Sequence, residues 1–598
     1  MPDQVQHRRE GAISVMYIPG GADHRLGPLL DAGCCRAISA ALAEARDAQA
    51  VLIMSQGAGF GWGPEPARLP DAGEAEALAA LCSELDRFPV PVVAWLRGPA
   101  LGAGMELALA AHWRIAAPDA RLGMPDILLG LPPGAGTTQR LPRVAGTEAA
   151  LRILLSGQAL DARAALSLGI ADAIAGDEDA ALAFARGLAG QPPRPSNARQ
   201  DRLDPKAGEA AVTSARAALR DPVQPALRAV IDCVEAAFLL PGSAGLSYER
   251  VAYEDCLQTE AAQGLRHAAL GDQRAARLLD AAAQGAPQPR HLLLAGAPPA
   301  LAEAALTTGL RVTLYNSDKD RVLAELHAVA ARLDEALARG RLEEDEFAEV
   351  WTRLSATTEA GTSAADAILF GTARDAALAV GLPPDADRFC LEPAGEGVMT
   401  LVPLPNAANP RLLEVPAGPP RAVAAGFALA RALGRGALPA SPSGSAAARV
   451  ARVAQEAAAD LITASRDAAA VEQALRAEGL PPALARPAQR PGRGNSVPVW
   501  AGVLATMAAA GAEALTRDPA LRPWMIDHAL VQGFGFPRWR GGPLAAADHH
   551  GLGRLVAMLD RMGQAPPTLL LRLVAEERGF DSLNRGPGLR PVGAVTSG

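Results

Sequence analysis

Two carboxylates twenty residues apart carry the chemistry this sequence could do. Glu106 follows a glycine-rich turn, with Gly98, Gly102 and Gly104, and stands in an Ala/Leu run that reads as a helix. Asp126 stands in a proline-bounded loop, MPDILLG (124–130). A helix entered from a glycine turn leaves its first backbone N–H groups unpaired, and its dipole favours negative charge there. Carboxyl groups beside such donors suit chemistry on a carbonyl compound: the carboxyls move protons while the amides hold charge developing on oxygen. An isolated Glu on an amphipathic helix is ordinarily a solvated surface residue. Here residues 107–111 (LALAA) are apolar on nearly all sides of Glu106, which argues against an exposed face.

The elements needed to position these groups follow from hydrophobic periodicity. Residues 11–190 alternate short apolar strands with helices: VLIM (51–54) and VPVVAWL (90–96) read as buried strands, 35–45 and 74–85 as helices. That alternation implies a layered α/β domain. The stretch QGAGFGWGP (56–64) is a glycine-rich loop, which by itself reads equally well as a turn stapled by a core Trp62.

Residues 98–146, with the glycine turn, Glu106 and Asp126, resemble the crotonase superfamily, specifically enoyl-CoA hydratases and isomerases. The resemblance implies a ββα-spiral crotonase domain over 1–190. It also implies that the loop 56–64 supplies one oxyanion-hole amide, from Trp62, and the turn before Glu106 the other, from Ala103. Gly63, Gly104, Pro133 and Gly134 would then line the substrate. Trp62–Gly63–Pro64–Glu65 departs from the family, which usually has small residues followed by an aspartate here. In hydratases of the family both carboxylate positions are glutamate, and Asp126 is one methylene shorter. Shortening withdraws the carboxylate by roughly 1 Å, a misplacement that can cost on the order of 10²-fold in rate. Three readings stay open: a hydratase whose backbone compensates, an isomerase shuttling a proton with one carboxylate, or an Asp126 that only caps the next turn.

Downstream, QPPRPSNARQDRLDPK (191–206) reads as a linker, and 209–279 as helices. Residues 245–278 resemble the connecting helix of multifunctional β-oxidation enzymes, which join a hydratase to a 3-hydroxyacyl-CoA dehydrogenase; in that family the helix packs back on the crotonase part. Residues 291–318 have the layout of a first βαβ unit, where a dehydrogenase needs G-x-G-x-x-G to bring backbone to a pyrophosphate. Only Gly296 is present; Pro298 and Leu301 occupy the other glycine positions, and Asn316 stands where an acidic residue would hold the ribose. Residues 388–405 hold no histidine, and 354–367 is too short for a full set of Rossmann elements. The expectation is a reduced Rossmann-like domain that has lost NAD binding. GFGFPRWRGGPL (533–544) resembles the C-terminal helical domain of the same dehydrogenases, with Arg538, Trp539 and Arg540 read as a packed turn in preference to a phosphate-binding or base-stacking patch.

The expected α/β layout is thus a crotonase-like domain (1–190), linker and connecting helices (191–285), a degenerate Rossmann-like dehydrogenase domain (286–436) and an all-α dehydrogenase-type domain (437–598). At 598 residues the chain exceeds what one core can serve, and a net charge of -8 gives no reason to expect nucleic acid or an anionic membrane as partner. Six cysteines without metal-ligand or redox spacing read as free thiols in a reducing compartment. No signal peptide, bilayer-length apolar run or peroxisomal C-terminus is legible, so a cytoplasmic location is expected. By the resemblance the downstream domains would replace the oligomer contacts of stand-alone crotonases, so a monomer is expected, with no metal and no cofactor beyond the coenzyme A of its acyl-CoA substrate. The activity expected is hydration of a 2-enoyl-CoA thioester; the alternatives are a Δ3,Δ2-enoyl-CoA isomerase and a non-catalytic acyl-CoA binding or scaffold protein.

Overall fold

The computed structural model describes residues 5–585 apart from 21–25, 64, 70–71, 220–223, 360, 362, 379–380, 384, 395–396 and 405–408. Pro64, parts of the histidine-free stretch and the C-terminal AVTSG therefore lie outside the described residues. The chain forms two compact units, Met1–Arg266 and His267–Gly598.

The first unit is built on a six-stranded sheet of β1 (Gln6–Glu10), β2 (Ile13–Ile18), β3 (Ala50–Ser55), β4 (Val92–Leu96), β6 (Trp113–Ala116) and β9 (Ala173–Ile174), in that order. Only the β1–β2 pair is antiparallel. Alternate side chains of β2, β3 and β4 feed two apolar clusters: Met16, Val51, Ile53 and Ala94 join one, Val15, Leu52, Met54 and Val93 the other. A parallel sheet covered on both faces needs such continuous apolar runs, and VLIM and VVAWL supply them. A second, small sheet pairs β5 (Pro99–Leu101) with β7 (Arg121–Gly123) in parallel and β7 with β8 (Leu160–Asp161) antiparallel.

The first unit extends well past residue 190. The helices Pro205–Ala218, Pro225–Leu239 and Gly242–Leu257 place Val212, Val230, Ile231, Val234 and Tyr253 in the same core as Ile53 and Leu107. Their apolar faces are therefore part of this unit's core, and the unit boundary falls inside the stretch expected as linker.

In the second unit, β10 (His291–Ala295), β11 (Arg311–Tyr315), β12 (Leu354–Thr357), β13 (Ala367–Phe370), β14 (Asp387–Cys390) and β15 (Met399–Thr400) make a wholly parallel sheet in the order β12-β11-β10-β13-β14-β15. That is the 3-2-1-4-5-6 order of a doubly wound dinucleotide-type fold. The expectation that 354–367 is too short for a full set of elements is corrected at the level of strands. Among the described residues, the helix following β13 is Ala373–Leu378, six residues long.

A second sheet of Val402–Leu404, Leu412–Val415 and Gly436–Pro439 follows, and the rest of this unit is helical around Val499–Arg517. This helix is long and apolar enough to cross a membrane, which corrects the expectation that no such run exists. Most of its length is buried, with Val503, Leu504, Met507 and Ala508 inside a cluster that also holds Trp524, Leu530 and Leu555. The turn at Arg538–Arg540 is packed: the Arg540 guanidinium lies 4.2 Å from the Trp500 ring centre and 4.1 Å from that of Trp539, and pairs with Glu478 at 2.5 Å.

Candidate active site

The twenty-residue spacing of the two carboxylates has a structural cause. Strands β5 and β7 run parallel, with Leu101 opposite Gly123, so both chains leave the small sheet at the same end. From β5 the chain enters the helix Ala103–Ala110, which carries Glu106; from β7 it enters the 3-10 turn Pro125–Leu129, which carries Asp126. Every residue of the Ala103–Ala110 helix is buried. Gly104 permits this depth: a Cβ there would stand 2.0 Å from the Gly61 carbonyl oxygen, so the helix could not lie this close to the Gly61 loop with any other residue.

Both carboxyls are buried, Glu106 at 3% and Asp126 at 5% exposure. Glu106 Oε1 accepts a hydrogen bond from the Ala135 amide at 2.8 Å. Burial pushes its carboxyl well above the usual range, and the charges of Asp126 and Glu249 add to the shift. Burial likewise raises Asp126 to about 7, again with a contribution from Glu249. Asp126 Oδ2 is buried and has no hydrogen-bond partner, so this oxygen is not used as a cap. The two face one cavity of about 20 Å³, which is room for a single water. Leu30, Leu78, Ala103, Gly134 and Tyr253 are among its other walls. Gly63, Gly104 and Pro133 are not among the residues that line it.

The oxyanion amides stand differently from expectation. The Trp62 N–H donates to the Pro28 carbonyl at 3.0 Å, and the Ala103 N–H to the Gly63 carbonyl at 2.9 Å. The cause is that the loop around Trp62 forms ladder pairings with Leu29 on one side and Ala100 on the other, which consume its inward-facing groups. Among the described residues, the amides of Gly63 and Gly104 have no such partner.

Two residues of the site lie in the helix Gly242–Leu257, which sequence reasoning treated only as a connector. Glu249, 1% exposed, accepts hydrogen bonds from the Gly136 amide, the Thr138 amide at 2.7 Å and the Thr138 hydroxyl. Tyr253 packs its ring on Gly134, where a Cβ would come within 2.9 Å of it. Burial, with the charges of Asp126 and Glu106, pushes its phenol up. The signal was available: Gly245, Glu249, Tyr253 and Cys256 form one buried stripe at spacings of four, four and three, and a Glu in such a stripe is out of place unless it is paired.

The family model for enoyl-CoA hydratase/isomerase matches residues 30–221. The first unit carries an enoyl-CoA hydratase/isomerase domain. The chain is similar to a probable enoyl-CoA hydratase of Bacillus subtilis, 45% identical over 115 residues, covering 19% of this chain and 45% of that protein. The peroxisomal bifunctional enzyme of Cavia porcellus is 34% identical over 211 residues, covering 34% of this chain and 29% of its own. The peroxisomal fatty acid beta-oxidation multifunctional protein of Arabidopsis thaliana is 28% identical over 286 residues, 44% of this chain and 39% of its own. The chain spans less than half the length of each of these relatives. Among solved structures, an enoyl-CoA hydratase from Rhodobacter sphaeroides superposes with a TM-score of 0.35 at 19% identity, over 45% of this chain and 90% of its own.

The turn after β10 in the second unit departs from the glycine-rich form that brings backbone amides to a pyrophosphate. After β10, Gly296 turns the chain at φ +63°, and the helix Pro299–Thr307 begins with Pro298 as N-cap and Pro299 in its first turn. Two prolines remove two amide donors from the end that would face a pyrophosphate. The Asp375 carboxylate fills the space beside Gly296, where a Cβ would lie 2.5 Å from Oδ2, and the Thr372 amide and hydroxyl hold it at 3.0 and 2.6 Å. Leu301 is fully buried, and the Asn316 side chain accepts from the Asp318 amide at 3.1 Å. Among the described residues no cluster of His, Cys, Asp or Glu has the form of a metal site.

Proposed function

We propose that the first unit hydrates 2-enoyl-CoA thioesters reversibly, using Glu106 and Asp126. One observation carries this reading: two buried carboxyls share a cavity the size of one water. Their raised affinity for protons keeps a proton on the pair near neutral pH, so one member is a base while the other is an acid. The ionised member takes a proton from the water as its oxygen bonds to C3. The protonated member gives its proton to C2, and the two carboxyls have exchanged roles when the 3-hydroxyacyl thioester is complete. Between these events negative charge rests on the thioester oxygen. Of the expected donors, Ala103 lines the cavity, and its amide and that of Trp62 receive this charge once the loop leaves Pro28 and the Gly63 carbonyl swings away.

The same reading holds that the second unit binds no NAD and acts as scaffold, and that the protein is a cytoplasmic monomer. All six cysteines are unpaired, which suits a reducing compartment. Light scattering on a sizing column checks the monomer.

The deciding experiment follows the conjugated enoyl-thioester absorbance with crotonyl-CoA, a medium-chain 2-enoyl-CoA and a 3-enoyl-CoA. Loss of the band with the 2-enoyl substrates is the expected result. Gain of the band with the 3-enoyl substrate alone replaces it with the isomerase reading, which the shortened Asp126 favours. Silence with all three overturns both and leaves acyl-CoA binding.

A further inference from the structure

The helix Thr137–Ala145 has Gly136 as its N-cap, at φ +105° and without a side-chain cap. Its first amides are buried and need an acceptor, since an unmet buried amide costs about 1–3 kcal/mol. Glu249 meets that need from a helix more than a hundred residues away, taking the Gly136 and Thr138 amides and the Thr138 hydroxyl. An anion at a helix N-terminus is also electrostatically favoured.

The residue immediately before this cap is Ala135, whose amide holds Glu106 Oε1. The Ala135 carbonyl is held in turn by Arg140 Nη1, and Arg140 Nη2 pairs with Asp86 Oδ2 at 2.5 Å. Ala135 is thereby fixed from three sides: the helix Ala72–Asp86 through Arg140, its own helix, and the Gly242–Leu257 helix through Glu249. Glu106 points where Ala135 allows it to point.

From this chain of contacts we infer that Glu249 is a positioning residue for Glu106, so that the Gly242–Leu257 helix is a working part of the reaction site. The inference rests on the hydratase reading above. Glu249 does not touch the cavity; it acts through the Ala135–Thr138 segment. Its loss frees that segment, and Glu106 loses the hydrogen bond that sets its angle to the water. A misplacement of about 1 Å is worth on the order of 10²-fold in rate.

The test uses the full-length chain with Glu249→Gln and Glu249→Ala. Three quantities are measured: kcat and KM for crotonyl-CoA, the Kd of the unreactive butyryl-CoA, and amide exchange over residues 134–138. Glu249→Ala is expected to lower kcat on the order of 10²-fold. Glu249→Gln, which keeps one acceptor oxygen, is expected to lower it about 10-fold. KM and the butyryl-CoA Kd should stay within about threefold, while exchange over 134–138 accelerates in the order Ala, Gln, wild type. A kcat within twofold of wild type in Glu249→Gln and Glu249→Ala overturns the inference, as does butyryl-CoA binding that falls in parallel with kcat. If Glu249→Ala does not fold, Glu249→Gln carries the test alone. If wild-type protein turns over nothing, the hydratase reading fails on its own, and unchanged exchange over 134–138 still overturns the role given to Glu249.

Discussion

In the first unit β5 ends, Gly102 turns the chain at φ +55° and the Ala103–Ala110 helix begins; in the second β10 ends, Gly296 turns it at φ +63° and the Pro299–Thr307 helix begins. Both are strand–glycine–helix turns at the end of a parallel pair, which is where backbone donors ordinarily meet an anionic or polarised ligand. Among the described residues the Gly104 amide of the first has no backbone partner, and two buried carboxyls face a water-sized cavity. The second places prolines where amides should be and an aspartate where a phosphate should be. The backbone route is preserved in both, and only the groups that a ligand would touch differ. Fold and function separate at the level of single residues.

That contrast breaks first at Glu106. Glu106→Gln keeps the shape and the Ala135 contact but cannot take or give a proton, so kcat is expected to fall roughly 10²–10⁴-fold. Butyryl-CoA binding should be nearly unchanged. Retained turnover in this variant would remove the first turn from the class of reaction sites.

Asp126→Asn separates activity from stability. Its activity should fall on the order of 10²-fold, the low end for a general acid–base group. Stability moves the other way. Folding raises the Asp126 carboxyl to about 7, so the folded state binds more protons than the unfolded chain between pH 4 and 7. Stability from this group therefore falls as pH rises through that window and is flat above it. Asp126→Asn should remove the slope, matching wild type near pH 4 and exceeding it by roughly 4 kcal/mol at pH 8. Urea midpoints at the two pH values measure this, and an equal difference at both would refute the burial argument.

Tyr253 and Gly134 test whether the Gly242–Leu257 helix belongs to the site or only covers it. Tyr253→Phe removes the hydroxyl of a residue that lines the cavity and should cost about 2- to 10-fold in kcat, the worth of one hydrogen bond. Gly134→Ala drives a Cβ into the Tyr253 ring and should lose about 1–3 kcal/mol of stability, readable as a lowered Tm. No change in either would mean that the ring is free to leave.

How much of this could be read from residues alone varied with distance along the chain. Glu106 and Asp126 were legible because the turn, the helix and the second loop lie within one local βαβ stretch, and strand pairing converts their spacing directly into convergence. The Glu249 contact was not, because it joins residues 111 and 113 apart and a lone helical Glu reads as a surface charge. The acceptors of the Trp62 and Ala103 amides could not be read either, since they are backbone carbonyls that carry no sequence signature. The complete six-strand order of the second sheet was hidden by strands as short as Met399–Thr400, too brief to show a period of two.

The smallest expected effect is an absence, and it sharpens the comparison most. NAD⁺ or NADH at millimolar concentration should leave the Tm of the full chain unchanged, whereas a ligand at 100 times its Kd would contribute about 2.7 kcal/mol. Relieving one obstacle should not reverse this. Asp375→Asn removes the negative charge beside Gly296, but Pro298 and Pro299 still deny two amides, and Leu301 remains buried where a third glycine would let helix and strand close up. Three independent obstacles at one turn predict that Asp375→Asn behaves as wild type toward NADH in a fluorescence titration. Binding in the single variant would show that electrostatics alone closes the second turn; binding in wild type would mean that the two turns differ in reaction and are alike in keeping a ligand.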